Sequence, residues 1–543
     1  MNATRREFLL VGFFFLLLAV VDTWPLTRHL TTHVIGGPDG VDAWTGLYTL
    51  TWGIHSLANN PLQYFNANVF YPHAESLAFG DHLFGLALLL APVQWLMATP
   101  TFTYNLAVLL SFVVAGVGAY FLARQVTGSV AAGLAAGLLF GFSPWRFLHV
   151  GQLGVLALGG LPWAFLVGHL YLESAQRRLI YLAAFFAWFV AASSTVGAGY
   201  LMVAPLPLLL VLVLPRFKKA RDRIWRHRGH LVLALGLFVV AMAPLTTPYL
   251  NHDLEQSMAR QEAAGLAAPD TSGLASLREG FFLALFTRNP EDAHRPFNPG
   301  RVALVLLVIL AISGLARPAR VEREVIYYAL LGGMALLVAA ISPIRTISLL
   351  SLAVAMLGAL AVRHIERWSG ALPGGAWLPW LVALALTIDL HPPEPAIHAA
   401  IPREGPPAVA TWLDRTGESD TVAEFPVPAD DERGNVVRAR RQLASIYHWR
   451  RLVDGQSRRT PPLTRLVRHR LANFPDQVSM AQLRALSIDL AVVHADEYEP
   501  AEWQLVATRL AAWPELELEK DLGSARVYRL NWSPGALPAG INR

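Results

Sequence analysis

The chain contains no cysteine, so its water-exposed parts hold neither disulfides nor thiolate metal sites, and thiol chemistry is excluded. Charge is scarce too. Of the 543 residues, 15% are charged and 54% are hydrophobic, which is more apolar material than one water-soluble core hides. The signatures of common soluble enzymes are also missing: no G-x-x-x-x-G-K-[ST] loop, H-E-x-x-H helix, G-x-S-x-G elbow or complete G-x-G-x-x-G after a strand. Without a phosphate loop, an ATP-driven pump is disfavoured.

What is present is a series of apolar runs. A membrane-spanning helix takes about 20 mostly apolar residues, and Phe8 to Trp24, Tyr104 to Ala123, Gln152 to Leu172, Val196 to Leu214 and Leu231 to Leu250 approach that. Shorter candidates are Leu83 to Met97, Val130 to Phe142, Leu179 to Ala192, Val302 to Ala316, Val325 to Ile341, Ile347 to Val362 and Trp377 to Leu390. The twin arginines Arg5 and Arg6 precede an apolar run with no small-residue cleavage site after it, which reads as an uncleaved first helix.

Basic residues set the topology. Arg216, Lys218, Lys219, Arg221, Arg223, Arg226 and Arg228 crowd one loop, which the positive-inside rule places in the cytoplasm. Arg177 and Arg178, Arg317 to Arg323 and Arg363 to Arg367 fall inside on the same count. The net charge of +5 is thereby a topology signal, and no nucleic-acid partner is expected. The front of the chain leaves two parities open: either Leu83 to Met97 dips in and returns, or Trp44 to Leu57 also crosses. The expectation is a mainly α, polytopic transmembrane bundle of about 11 to 13 spans in a bacterial inner membrane, with a cytoplasmic N-terminus. Its domain covers 1–390, with a first outer loop at about 25–82 and a further one at about 251–300.

After His391 the composition turns charged and proline-punctuated, as in a soluble extracytoplasmic α/β domain over 391–543. Thr421 to Val427 and Asp489 to His494 read as strands. Met480 to Leu486 and Trp503 to Ala512 read as helices, and Leu516 to Leu530 as two strands around Gly523. The basic residues between Arg433 and Arg470 read as a basic face, either plain solvated surface or a docking site for anionic headgroups or an acidic glycan.

Ionisable residues at the outer surface are the candidates for chemistry, because charge near lipid is costly. Asp42 opens a stretch with Trp44, Leu47, Tyr48, Trp52 and His55 at helical spacing. It is either an N-cap on an interfacial helix or a carboxylate held as a general base. His73, Glu75, Asp81 and His82 lie close together at the entrance to the next apolar segment. Their spacing matches no standard metal pattern, and binding of a polar substrate or helix capping is favoured over a metal. Arg146, in Phe142-Ser143-Pro144-Trp145-Arg146-Phe147-Leu148-His149, lies outside against the charge trend. It either meets lipid headgroups in general or clamps a phosphate beside His149.

These clusters resemble, in their order, the bacterial polytopic glycosyltransferases of the GT-C superfamily. The resemblance is carried by Asp42-Ala43-Trp44 with Trp52 and His55, Asn60-Pro61, Val69-Phe70-Tyr71-Pro72, Leu77 to His82, Tyr104-Asn105-Leu106, Gly118 to Arg124 and Phe142 to His149. Glu424-Phe425-Pro426 and Val453-Asp454-Gly455 extend it weakly into the tail. The resemblance implies inverting sugar transfer from a polyprenyl-phosphate-linked donor to a glycan, lipid or protein acceptor at the outer face of the bilayer. It also implies an acidic base in the first outer loop. Asp42 occupies that place, but Val41 departs from the usual Gly-Asp-Ala spelling, and Asp39 is a rival. Arg146 and His149 would then stabilise the departing lipid phosphate, with His73, Glu75, Asp81 and His82 as further substrate-binding candidates. No metal site is assigned, no nucleotide is required and no cofactor is assigned; a divalent cation is left open, with Asp39, Glu75 and Asp81 the acids that could assist one. The competing classes are a non-catalytic envelope scaffold and a lipid-linked glycan transporter. The near absence of mid-span charge speaks against transport.

Overall fold

A computed structural model describes residues 3–194, 210–211, 218–263, 299–316, 322–339, 343–400, 405–416 and 420–532. The expected span from Val196 to Leu214 lies outside the described residues except at Leu210 and Val211, and so does the outer loop from 264 to 298. The N-terminal elements are α1 (Ala3–Asp22), β1 (His33–Gly36), α2 (Val41–Asn59), α3 (Phe84–Met97), α4 (Pro100–Thr127), α5 (Val130–Gly141), α6 (Pro144–Leu148), α7 (Leu153–Leu156), α8 (Leu161–Ser174) and α9 (Arg178–Ala192). Next come α10 (Lys218–Arg226), α11 (Arg228–Ala263), α12 (Arg301–Ala316), α13 (Arg323–Ala339), α14 (Pro343–Ser369) and α15 (Leu378–Asp389). The tail holds β2 (Ala396–Ala399), α16 (Ala408–Thr416), β3 (Thr421–Phe425), α17 (Glu432–Ala444), β4 (Arg451–Leu452) and α18 (Pro462–Leu471). It closes with α19 (Gln477–Ala485), β5 (Leu490–His494), α20 (Pro500–Ala512), β6 (Leu516–Asp521) and β7 (Ala525–Leu530).

These elements form two compact units. One comprises Met1–Thr31, Ile35–Gly37 and Leu83–Ile397, the other Thr32–Val34, Pro38–His82 and His398–Arg543. The early segment 38–82 thus clusters with the tail.

In the first unit each expected apolar run among the described residues falls on a helix. Five stretches there are long and apolar enough to cross a membrane: Pro100–Thr127, Val130–Leu148, Leu153–Ser174, Arg228–His252 and Ile347–Ser369. Phe84–Met97, Arg178–Ala192, Arg301–Leu315 and Gly375–Asp389 are apolar but shorter. Small residues let α4 and α5 approach closely. A Cβ added to Gly141 would sit 2.8 Å from the Gly116 nitrogen, so any larger residue drives the helices apart. Into this seam packs a ladder of rings, Phe15 on Phe142 at 5.7 Å and Phe112 on Phe142 at 5.6 Å. Away from the seam the unit is apolar outward, with Val240, Ile312, Leu315 and Leu384 largely exposed. Lipid is the solvent that such a surface requires.

The second unit inverts that pattern. Its five-stranded sheet has the order β4-β3-β5-β7-β6, with β3 parallel to both β4 and β5, and β7 antiparallel to β5 and β6. Strands β3, β5, β6 and β7 and helices α19 and α20 sit where the apolar alternation places them. Phe425 stacks on Phe474 at 3.8 Å in a core that also holds Val467, Leu483, Val493 and Tyr528. Asp431 caps α17 through the Gly434 amide at 2.7 Å, and Asp476 and Ser479 form a reciprocal capping box on α19. Residues of the early segment finish the sheet edge. The Leu452 amide donates to the Asn68 carbonyl at 2.7 Å and the Tyr71 amide to the Leu452 carbonyl at 2.9 Å, which covers the otherwise open edge of β4.

The expected basic face is thinned, not removed: Arg433, Arg440, Arg451, Arg458, Arg465 and Arg470 are exposed. Arg438, Arg450 and Arg468, all within that stretch, are buried. Arg450 pairs with Asp420 at 2.9 Å and Arg468 with Asp454 at 2.6 Å and Asp430 at 2.8 Å. Acids at the strand ends and in adjoining loops draw these side chains inward, a pairing that linear charge counting does not see.

Candidate functional site

Asp42 lies in the first turn of α2. The cap of this helix is Gly40, in the left-handed conformation at φ 74°, with no side-chain capping bond, so the expectation of Asp42 as N-cap is corrected. The Asp39 carboxylate accepts the Val41 amide at 3.2 Å and holds the turn locally. Gly40 has a second reason to be glycine: a Cβ there would meet the ring of His398 at 2.7 Å. His398 also packs edge-on against Trp44, whose indole N–H donates to the Ala399 carbonyl at 3.0 Å. The guanidinium of Arg440 lies 4.8 Å above the same indole. The helix N-terminus that carries Asp42 is therefore clamped by residues some 350 positions later, by way of contacts within one unit.

The rest of the early segment surrounds a polar spine. Tyr48 donates to the Asn68 side-chain oxygen Oδ1 at 2.6 Å, and the Asn68 side-chain Nδ2 donates to the Arg450 carbonyl at 2.9 Å and the Ser445 hydroxyl at 3.2 Å. Burial holds the Tyr48 phenol well above its ordinary pKa, so it stays a donor. Glu75 takes a left-handed backbone, and its amide donates to Asn66 at 2.7 Å. His73 packs edge-on against Phe79 at 5.5 Å. His82 is buried against Phe65, its carbonyl accepting from Tyr64 at 2.6 Å. Asp39, Asp42, His73, Glu75, Asp81 and His82 all belong to this unit. Among the described residues no group of three or more His, Cys, Asp or Glu converges to hold a metal ion.

A ring cluster completes the surroundings of α2. His55 stacks on Trp449 at 4.1 Å, and Trp52 meets Trp449 at 5.7 Å. Trp449 itself has φ 54°, a costly conformation for a bulky residue. Burial lowers the His55 pKa, which leaves its imidazole neutral.

Arg146 and His149 lie in the other unit, on and just after α6. Arg146 is buried, donating to the carbonyls of Ser111 at 3.2 Å and Leu156 at 3.3 Å, with its guanidinium 5.3 Å from the Phe112 ring centre. Its Nε is buried with no hydrogen-bond partner. His149 bonds through Nδ1 to the Trp145 carbonyl at 2.9 Å. Two residues before Arg146, Pro144 borders a cleft of about 560 Å³ that is also lined by Gly300, Arg301, Ala385, Ile388 and Asp389. Asp389 accepts the Val302 amide at 2.9 Å and so fixes the start of α12. Arg301 is exposed at the cleft. Sequence reading passed over Arg301, which looks like one more flanking charge, and over His398 and Trp449, which are remote in sequence from the residues they touch.

No protein-family model and no curated protein sequence matches the chain. Solved structures do. The oligosaccharyltransferase of Archaeoglobus fulgidus, tethered with an acceptor peptide containing the NVT sequon, superposes with a TM-score of 0.52 and 14% identity over 90% of this chain and 69% of that one. ArnT from Cupriavidus metallidurans, in the apo state, aligns with a TM-score of 0.39 and 15% identity over 97% and 98% of the two chains. The likeness to the first gives this chain the GT-C fold: a multi-pass membrane helical bundle with a C-terminal α/β domain.

Proposed function

We propose that this protein is an inverting glycosyltransferase that moves a sugar from a polyprenyl-phosphate donor to an envelope acceptor at the outer face of the membrane. The observation that carries the reading is the placement of Asp42. It is an acid in the first turn of a helix whose N-terminus is clamped by Gly40, Trp44 and His398, in a chain with the GT-C fold. In the proposed step the Asp42 carboxylate takes the proton of an acceptor hydroxyl. That oxygen bonds to the anomeric carbon from the face opposite the phosphate, the carbon–oxygen bond to the phosphate breaks, and polyprenyl phosphate leaves. Asp39, bound up in its own turn, is the less suited of the two acids.

The cleft beside Pro144 suits the donor. Ala385 and Ile388 offer an apolar wall to a prenyl chain, and Arg301 offers a charge to its phosphate. Arg146 and His149 are proposed to support the leaving phosphate, Arg146 through its Nε, which is buried and has no partner. His73, Glu75, Asp81 and His82 are proposed on the acceptor side.

The test is mass spectrometry of envelope glycans and polyprenyl-linked sugars in cells carrying only the Asp42→Asn protein at normal membrane levels. Loss of a general base lowers transfer by about 10²–10⁴-fold, so one sugar disappears and its lipid-linked precursor accumulates. An unchanged profile with Asp42→Asn, and a changed one with Asp39→Asn, would hand the role to Asp39. No change with either sinks the reading.

A further inference from the structure

The tail domain carries a second cleft that the transfer reaction does not use. From β3 the chain passes through α17 to β4 on one side, then through α18 and α19 to β5 on the other side of β3. Such a reversal opens a crevice at the carboxyl ends of the parallel strands, the place where open α/β sheets bind ligands. The cleft found there is lined by Glu424 on β3, Arg438, Arg441 and Gln442 on α17, and Asp454 and Gly455 after β4.

Its polar groups are almost, but not entirely, used up by one another. Glu424 pairs with His494 at 2.8 Å and with Arg441 at 3.4 Å, and Arg441 pairs with Glu497 at 2.8 Å. Arg438, with 2% of its side chain exposed, donates to the Pro428 carbonyl at 2.9 Å and to Asn435 at 2.8 Å. Its Nε is buried and has no partner. Asp454 Oδ1 accepts from Arg468 at 2.9 and 2.6 Å and from the Gly455 amide at 2.7 Å. Its Oδ2 is buried and has no partner. Arg438 Nε and Asp454 Oδ2 are thus left over on the walls of one cleft, while Arg441 Nε, which also makes no hydrogen bond, is held to Glu424 as an ion pair at 3.4 Å. Natural structures rarely leave such groups unmatched without a reason.

Charge and size narrow the occupant. Two guanidiniums and two carboxylates line the cleft, so an anion meets Glu424 and Asp454 and a cation meets the arginines. A hydroxyl is donor and acceptor at once, and suits both leftover groups. The enclosed space of about 20 Å³ admits a single water-sized group. We propose that this cleft is a carbohydrate-binding subsite, in which one sugar hydroxyl donates to Asp454 Oδ2 and accepts from Arg438 Nε while the ring stays at the mouth. Taking the hydroxyl as a sugar's rests on the glycosyl-transfer reading; the pairing of leftover groups does not.

The test uses the full-length protein in detergent micelles with glucose, galactose, mannose, arabinose and N-acetylglucosamine as probes. Saturation-transfer NMR is expected to show ring-proton signals for at least one of them, and equally with the Asp42→Asn protein. Hydrogen exchange on the wild-type protein with that sugar is expected to slow in peptides covering 452–456 and 438–442. Asp454→Asn, which replaces the acceptor with a donor, and Arg438→Lys, which keeps the charge but loses Nε, are expected to weaken binding at least about tenfold, the loss of one hydrogen bond to a charged group. No signal from any probe would mean that the cleft holds water only, and slowed exchange confined to other peptides would place the sugar elsewhere; either result overturns the proposal. Loss of transfer in cells with binding intact, or the reverse, separates the failure of one reading from the failure of the other.

Discussion

Two arginines are buried to almost the same degree in the two units, Arg146 at 2% exposure among the apolar helices and Arg450 at 3% in the tail unit. Arg450 is fully matched: its guanidinium meets Asp420 at 2.9 Å, the Leu413 carbonyl at 2.7 Å and the Thr416 hydroxyl. Arg146 meets only the Ser111 and Leu156 carbonyls, the Ser111 hydroxyl and an aromatic face. Among the described residues no carboxylate pairs with it. The difference teaches what each charge is for. A buried pair that is closed on itself is a structural joint, whereas a buried charge without a counterion keeps a standing demand for an anion.

The sharpest way to break that comparison is to make the same change at both. Arg450→Met strands Asp420, and the tail unit is expected to lose about 3–5 kcal/mol in urea unfolding, toward the lower end because Arg529 also reaches Asp420 at 3.4 Å. Arg146→Met removes an uncompensated charge, so the helices are expected to keep their melting temperature while transfer falls about 10²-fold. If Arg146→Met unfolds the protein as Arg450→Met does, Arg146 is a joint as well.

A second contrast concerns solvent. Val308 on α12 and Val478 on α19 are each 56% exposed, so contact area alone does not distinguish them. Val308→Lys is expected to cost about 2.5–3.5 kcal/mol of membrane insertion, read as a drop in membrane-integrated protein in a glycosylation-mapping assay. Val478→Lys is expected to change stability by less than about 0.5 kcal/mol. Equal effects would mean that both units face the same medium.

The smallest effect is a pH dependence confined to the tail unit. Burial, opposed in part by the Glu424 charge, pushes the His448 imidazole down to about 4. In the unfolded chain it titrates near 6.5, so the unfolded state binds the proton first as pH falls. The stability contributed by neutral His448 is complete above pH 6.5 and is lost between about 6.5 and 4. After allowance for its partial exposure this amounts to about 2 kcal/mol. His448→Gln is expected to flatten the urea midpoint over that window; an unchanged slope would show that other groups set it.

Much of this was legible in the residues. Among the described residues, the apolar runs between Phe8 and Leu390 coincide with helices because a spanning segment must satisfy its backbone internally, whatever its neighbours do. Strands β3 and β5 were equally plain, being short apolar stretches between turn residues. The two-residue β4 was not, since its existence depends on β3 and on Asn68. The inward turn of Arg438, Arg450 and Arg468 was not legible either, because a charge run looks the same whether water or a distant carboxylate receives it.

Asp42 shows where the boundary lies. Composition, apolar periodicity and the Asp42-Ala43-Trp44 stretch determined a multi-pass membrane protein with an acid at the start of an amphipathic helix, since each of these is a local property of the chain. Only the tertiary structure decided that Gly40 caps that helix, that His398 closes over it, and that segment 38–82 clusters with the tail rather than with the helices it interrupts. These depend on contacts between residues hundreds of positions apart. Such contacts form because the burial of rings and the pairing of charges are settled by proximity in space, on which sequence spacing is silent.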